Sequence, residues 1–353
     1  MTEITDARLR AALRRTKAMR TAATRWIVQR VGPDGRPIGA ERLNGYYRLP
    51  WVLGVNGERE VASRVLSWIA REAIDEHGDL RPGPPRLPFE RSSNASYPLS
   101  QLAIGAWHLE QYGLARRVMD GLVERFQSSV SGGVYSERPE HRGPNAPQDI
   151  LVSAQFGMAA LTTGDVEAAD RVATWFTRLY EAQPDLPRAL YCSATDDGLI
   201  TTFDDATAWN TVVFFDRPYQ AFYMPGIAAA FLGRHYQLTG QRGSLQLADA
   251  FVELSAGGAE LQWDHRQNAQ MCKFPWGTSV LLDAAPDPRY AAYTLRMVDW
   301  FEASQEDDGR WHPSSFLNPD PDDVDDMPKV AEHLLHLTTM EGALASYATA
   351  RLG

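Results

Sequence analysis

A chain of 353 residues, 44% of them hydrophobic and ten of them tryptophan, has the material for a sizeable apolar core. Its formal net charge of −10 argues against nucleic acid or an anionic membrane surface as the partner. No stretch approaches the ~18 uninterrupted apolar residues of a membrane span, the first residues lack a signal-peptide core, and the two cysteines, Cys192 and Cys272, lie too far apart in sequence to suggest a disulfide framework. These features lead us to expect a cytoplasmic enzyme with a small-molecule substrate.

In chain order, residues 5–30 set Leu9, Leu13, Ala18, Ala22 and Ile27 at loose helical spacing, with Arg and Lys opposite. After a Gly-Pro turn, residues 45–54 are apolar nearly all round, which predicts an inner helix buried on every side. Residues 58–71 carry Val61, Val65, Leu66 and Ile69 on one face only, which predicts an outer helix. The alternation then recurs. Inner 97–107 pairs with outer 114–126, and inner 148–161 with outer 166–180 through Thr163-Gly164-Asp165. Inner 219–238 pairs with outer 244–254 through Thr239-Gly240-Gln241, and inner 274–284 with outer 289–305 through Pro286-Asp287-Pro288. The last inner helix, 330–351, takes 5–30 as its outer partner. Six such hairpins predict an all-α fold, an (α/α)6 toroid, and a ring that closes only with all six pairs predicts a single domain over 1–353. Short β-hairpins are expected only within loops 78–95, 130–145 and 190–212.

Connections from inner to outer helix are short, whereas those from outer to inner run to ~20 residues or more, and function concentrates on long loops over a rigid scaffold. The candidates therefore stand at or just before the inner starts: Tyr46, Tyr47 and Arg48; Tyr97; Gln148 and Asp149; Asp216, Arg217 and Tyr219; Lys273 and Trp276; Glu332 and His333. Trp209 and His265, in the loops before the fourth and fifth inner helices, join them as ligand contacts. Aromatic rings at such places stack on sugars or face cations. Within Glu332-His333-Leu334-Leu335-His336, Glu332 and His333 can act as acid and base, with Asp216 and Tyr47 assisting. The competing reading is a pair of satisfied core polar groups, and for Asp216 with Arg217 an ion pair at a helix N-terminus. Glu-His-x-x-His lacks the order of a zinc motif, and there is no glycine-rich phosphate loop, so neither a metal nor a cofactor is expected.

Phe301, Gln305, Gly309 and Trp311 spell aromatic-x3-Gln-x3-Gly-x-Trp, which resembles the QW repeat of the squalene–hopene cyclase group. Asp323-Val324-Asp325-Asp326, just downstream, resembles the DxDD motif of class II terpene cyclases. The resemblance implies the terpenoid cyclase and protein prenyltransferase toroid superfamily, with the Gln305 side chain and Trp311 indole tying neighbouring hairpins. It also implies that Asp325 or Asp326 holds a proton, since crowded carboxylates cannot all ionise. Against it stands a solvated acidic loop whose last Asp caps the following helix. Lanthionine cyclases place a zinc-binding Cys beside His; here Cys272 is followed by Lys273. Three functions remain open: acid–base cyclisation or isomerisation of a polyene-like molecule, a carbohydrate-active toroid resembling the N-acylglucosamine epimerases and six-hairpin glycosidases, and a non-catalytic binding toroid.

Overall fold

The computed structural model describes residues 4–41, 45–82, 96–205, 207–258, 262, 269–312 and 320–351. The chain divides into two compact units, Val28–Phe214, and Met1–Ile27 together with Phe215–Gly353. The first helix, α1 (Asp6–Val28), thus belongs with the C-terminal half.

In the unit from Val28 to Phe214, three hairpins follow one another: α2 (Leu49–Val55) with α3 (Arg59–Glu72), α4 (Ser96–His108) with α5 (Tyr112–Phe126), and α6 (Ile150–Thr163) with α7 (Val166–Glu181). Each inner helix packs on its own outer partner, and within the unit α2 packs on α4 and α4 on α6. The apolar pattern explains the layering. In α6 every residue but Thr162 is buried, so the helix must be covered on all sides, whereas α7 buries Ala168, Ala169, Val172, Ala173, Trp175, Phe176 and Leu179 and turns its charges outward. The turn between them ends α6 on Gly164 and caps α7 with Asp165, whose carboxylate accepts from the Ala168 amide at 3.1 Å. The expected 190–212 hairpin region holds β2 (Ala189–Tyr191), β3 (Ser193–Thr195), β4 (Gly198–Leu199) and β5 (Val212–Phe214). β2 pairs antiparallel with β5, and β3 lies between β4 and β1 (Gln148–Asp149), the two residues that lead into α6. A short helix, α8 (Ala208–Thr211), precedes β5.

The other unit holds α1, α9 (Tyr223–Thr239), α10 (Arg242–Ala256), α11 (Phe274–Ala284), α12 (Pro288–Ser304) and α13 (Asp323–Ala350). Here α9, α11 and α13 form the inner series, with α11 packed on both others. α1 is pinned to α12 by Arg15, which bridges Asp299 and Glu302, and to α13 by Arg20 with Glu341.

One clasp recurs at the ends of outer helices. Gln127, just after α5, donates its amide to Gly132 O at 3.2 Å and to Ala168 O of α7 at 2.9 Å. Gln305, just after α12, does the same to Gly309 O at 2.9 Å and to Met19 O of α1 at 3.1 Å. Both glycines have left-handed φ, 85° and 96°, and both lie against the backbone of the outer helix that the glutamine reaches. Trp311 completes the second clasp, with its indole donating to Phe301 O at 3.0 Å. The glutamine tie to the next hairpin expected of the QW-like repeat is present, whereas the Trp311 indole bonds back to Phe301 O of the helix that precedes its own loop and ties no neighbouring hairpin.

Two starts differ from the sequence reading. α9 begins at Tyr223 rather than at 219, because Asp216 to Tyr219 form an exposed turn in which Tyr219 takes a left-handed φ of 58°. α13 begins at Asp323, seven residues before the expected Val330, because a capping box between Asp322 and Asp325 nucleates it ahead of Pro328. Among the described residues no helix is long and apolar enough to cross a membrane.

Candidate functional site

In the C-terminal unit the inner starts bring together Tyr223, Lys273, Lys329 and Glu332. Lys273 is the residue just before α11, and its ammonium pairs with Glu332 Oε1 of α13 while lying 5.0 Å from the Tyr223 ring centroid of α9. Lys329, one turn before Glu332, approaches Oε2 at 3.5 Å. Both members of the Lys273–Glu332 pair are under a tenth exposed, so each charge depends on the other for the solvation it has lost. Trp276, on α11, is buried and stacks on His336 at 5.3 Å.

His333 takes the opposite direction. Its ring stands edge-on to Trp300, Phe301 and Trp311 at 5.9, 5.0 and 5.2 Å, and neither ring nitrogen has a hydrogen-bond partner among the described residues. Burial pushes its imidazole well below the ordinary histidine range, with the Lys329 ammonium pressing the same way against Glu332. Glu332 and His333, expected to work as an acid–base couple, therefore point into different surroundings. This enclosed imidazole packs among three rings, and no described residue accepts or donates a hydrogen bond at either nitrogen.

The aspartate run also differs from a cyclase motif. Asp322 accepts from the amides of Val324 and Asp325 at 3.0 and 3.1 Å, and Asp325 accepts from the Asp322 amide at 3.1 Å. Asp326 turns inward, fully buried, to meet Arg310 Nη1 at 2.8 Å and His312 Nδ1 at 3.1 Å. Asp322 and Asp325 thus close a helix cap while Asp326 binds Arg310 and His312, so Asp325 and Asp326, the expected proton donors, are held by different partners. His312 was missed by the sequence reading, since no spacing rule links it to an aspartate fourteen residues on.

Asp216 and Arg217 face each other at 3.8 Å with more than half of each side chain exposed, and Tyr219 is 47% exposed. They lie on a surface turn instead of a helix start, which removes the reason for expecting catalytic help from Asp216. His265 lies outside the described residues, and Trp209 is half-buried on α8.

In the unit from Val28 to Phe214, Arg48 stands just before α2 with its guanidinium 4.8 Å from the Tyr47 ring and 5.6 Å from the Tyr97 ring, and donates to Tyr97 Oη at 3.1 Å. The two tyrosines meet edge-on at 6.2 Å. Tyr46 is fully buried against Trp68 at 5.3 Å, and burial raises its phenol; a ring so enclosed serves the core and not a ligand. Asp149 caps α6, accepting from the Val152 amide at 2.9 Å and from the Ser136 hydroxyl. Burial raises its carboxyl above the usual range despite those bonds. Among the described residues no three of His, Cys, Asp and Glu gather as around a metal ion.

No family model matches the chain, and no curated protein matches it. Solved structures do. A D-mannose isomerase aligns over 95% of this chain and 100% of its own with TM-score 0.59 and 13% identity. A family 76 glycoside hydrolase, an α-mannanase of Bacteroides thetaiotaomicron, aligns over 96% of each with TM-score 0.60 and 12% identity. An α-1,6-mannanase of Salegentibacter sp. aligns over 94% of this chain and 99% of its own with TM-score 0.60 and 14% identity. The chain is an all-α protein of the (α/α)6 toroid fold, which these carbohydrate-active enzymes share.

Proposed function

We propose that the chain is a carbohydrate-active enzyme that moves a proton on an open-chain sugar, an isomerase or epimerase of hexose-sized aldoses. The observation that carries this reading is the buried Lys273–Glu332 pair. Enediol chemistry needs a carboxylate to take the proton next to a carbonyl and a cation to hold the oxygen where charge develops. Glu332 removes the proton from C2, the C–H electron pair forms the carbon–carbon double bond, and the carbonyl electrons move to O1 beside the Lys273 ammonium. Return of the proton to C1, with the hydroxyl proton of O2 passing to O1, gives the ketose; return to the other face of C2 gives the epimer. The likeness to a D-mannose isomerase and to mannanases supports a sugar over a polyene as the substrate. The test is proton nuclear magnetic resonance of D-mannose, D-glucose and D-fructose in deuterated water, with deuterium entering at C2. Glu332→Gln should lower the rate by ~10² to 10⁴, and full turnover in that variant would refute the assignment.

A second reading, hydrolysis of a glycoside, is favoured by Asp149, a carboxyl at the start of an inner helix that accepts from the Ser136 hydroxyl and that burial raises in the direction a general acid needs. Release of reducing ends from an α-1,6-mannan, lost in Asp149→Asn, would select it over the first.

A further inference from the structure

His312 is mounted as few exposed histidines are. Its side chain is 45% exposed while the carboxylate that holds it, Asp326, is fully buried. The other oxygen of Asp326 is taken by Arg310, so the carboxylate cannot swing away from the imidazole. The loop beneath is fixed as well: Gly309 O accepts from Gln305, and the Trp311 indole is anchored on Phe301 O. With Nδ1 directed at a carboxylate oxygen, the ring proton is assigned to Nδ1, which leaves Nε2 as the nitrogen that takes up a proton. A tether for the loop would need only Arg310 and Asp326. The added imidazole, oriented by a buried carboxylate and 45% exposed, is the arrangement of a general acid–base group.

We propose that His312 catalyses the opening and closing of a reducing sugar's ring, so that the chain also interconverts the anomers of a free aldose, with Asp326 as its positioning residue. This rests on the sugar class of the preceding section but not on Glu332. His312 Nε2 takes the proton of the anomeric hydroxyl; the O–H bond breaks and an N–H bond forms. The freed electron pair on O1 makes the C1=O bond, the C1–O5 bond breaks with its pair going to O5, and O5 takes the proton back from Nε2. The open chain closes by the reverse path on either face of the carbonyl. Atoms and electrons balance within sugar and imidazole, and no further reactant is required.

The experiment follows freshly dissolved α-D-glucose and α-D-mannose by polarimetry. The wild type should speed the approach to anomeric equilibrium. His312→Gln, whose side-chain amide can still donate to Asp326, should lose ~10² or more of the catalysed kcat with little change in KM. His77→Gln, at an exposed histidine elsewhere, should keep the full rate. His312→Gly should regain part of the rate with added imidazole. Asp326→Asn should move the 15N signals of the His312 ring from one tautomer to a mixture and lower kcat with KM little changed, a fall in rate that a mere loop tether would not produce. No acceleration by the wild type, or a full rate in His312→Gln, overturns the proposal. Isomerisation without anomer acceleration sinks this inference alone, and anomer acceleration without isomerisation sinks the enediol reading alone.

Discussion

Lys273 and Glu332, 59 residues apart in sequence, form a nearly dry ion pair between two inner helices. Removing one partner takes the nearest counter-charge from a group that is under a tenth exposed, and for Glu332 leaves only the more distant Lys329 at 3.5 Å. Lys273→Met should therefore destabilise the fold by about 3–5 kcal/mol, whereas replacing both residues by apolar ones of similar volume should recover most of that loss. Urea denaturation of the two single variants and the double variant measures the difference. A double variant as unstable as the sum of the singles would contradict this account.

Gly132 tests the recurrent clasp. A Cβ there would lie 2.5 Å from Arg171 O, and the backbone holds a φ of 85° that side chains rarely adopt. Gly132→Ala should cost about 1–3 kcal/mol or more, while Gly143→Ala, where a Cβ would meet nothing within 4 Å, should be close to neutral. Thermal unfolding of both variants is the check.

Trp311 is 1% exposed and donates its indole N–H to Phe301 O. Truncation removes a large buried ring and leaves a carbonyl without its donor, so Trp311→Ala should cost about 3–5 kcal/mol. A change within about 0.5 kcal/mol would mean that the surrounding loop closes over the gap.

His333 gives the stability a pH dependence. Its imidazole is lowered in the folded chain, so between that value and the ordinary ~6.5 the unfolded chain binds the extra proton. This contribution is fully present above ~6.5 and is lost as pH falls below it, by at most about 1.4 kcal/mol per pH unit. Asp149, raised by burial, works in the other direction from its own ordinary range upward. The comparison of wild type with His333→Phe isolates the histidine: the variant should show a flatter loss of stability between pH 6.5 and 5.

Most of the helical plan was legible because it depends on what surrounds each helix. α6 and α9 are apolar all round and α7 is not, and that contrast follows directly from being inside or outside a ring of helices. The glycine turns at Gly164 and Gly240 were equally plain. The start of α13 was not, since Pro328 reads as a helix boundary while the capping box that overrides it lies inside a run of aspartates that also fits a catalytic motif. The site was harder still. Lys273 and Glu332 each stood out as a residue at an inner start, but their pairing is a long-range contact with no local signature. His333 looked catalytic because its neighbour is acidic; one step along a helix turns a side chain by about 100°, which is enough to send it to the aromatic wall instead.

The placement of α1 bears on how freely the chain can be rewired. Arg351 reaches Ile4 O at 3.2 Å and Asp6 at 3.9 Å, so the two described ends of the chain lie side by side in one unit. A short linker from residue 351 back to residue 4 would close the polypeptide without stretching it. New ends could then be cut at an exposed turn such as Thr239-Gly240-Gln241. In that circularly permuted chain α1 would follow α13 directly as the second half of a continuous hairpin, and a contact now made between the two extremes of the sequence would become a local one. Such a permutant should refold faster than the parent, because the loop closed by that contact shrinks from nearly the whole chain to a few residues.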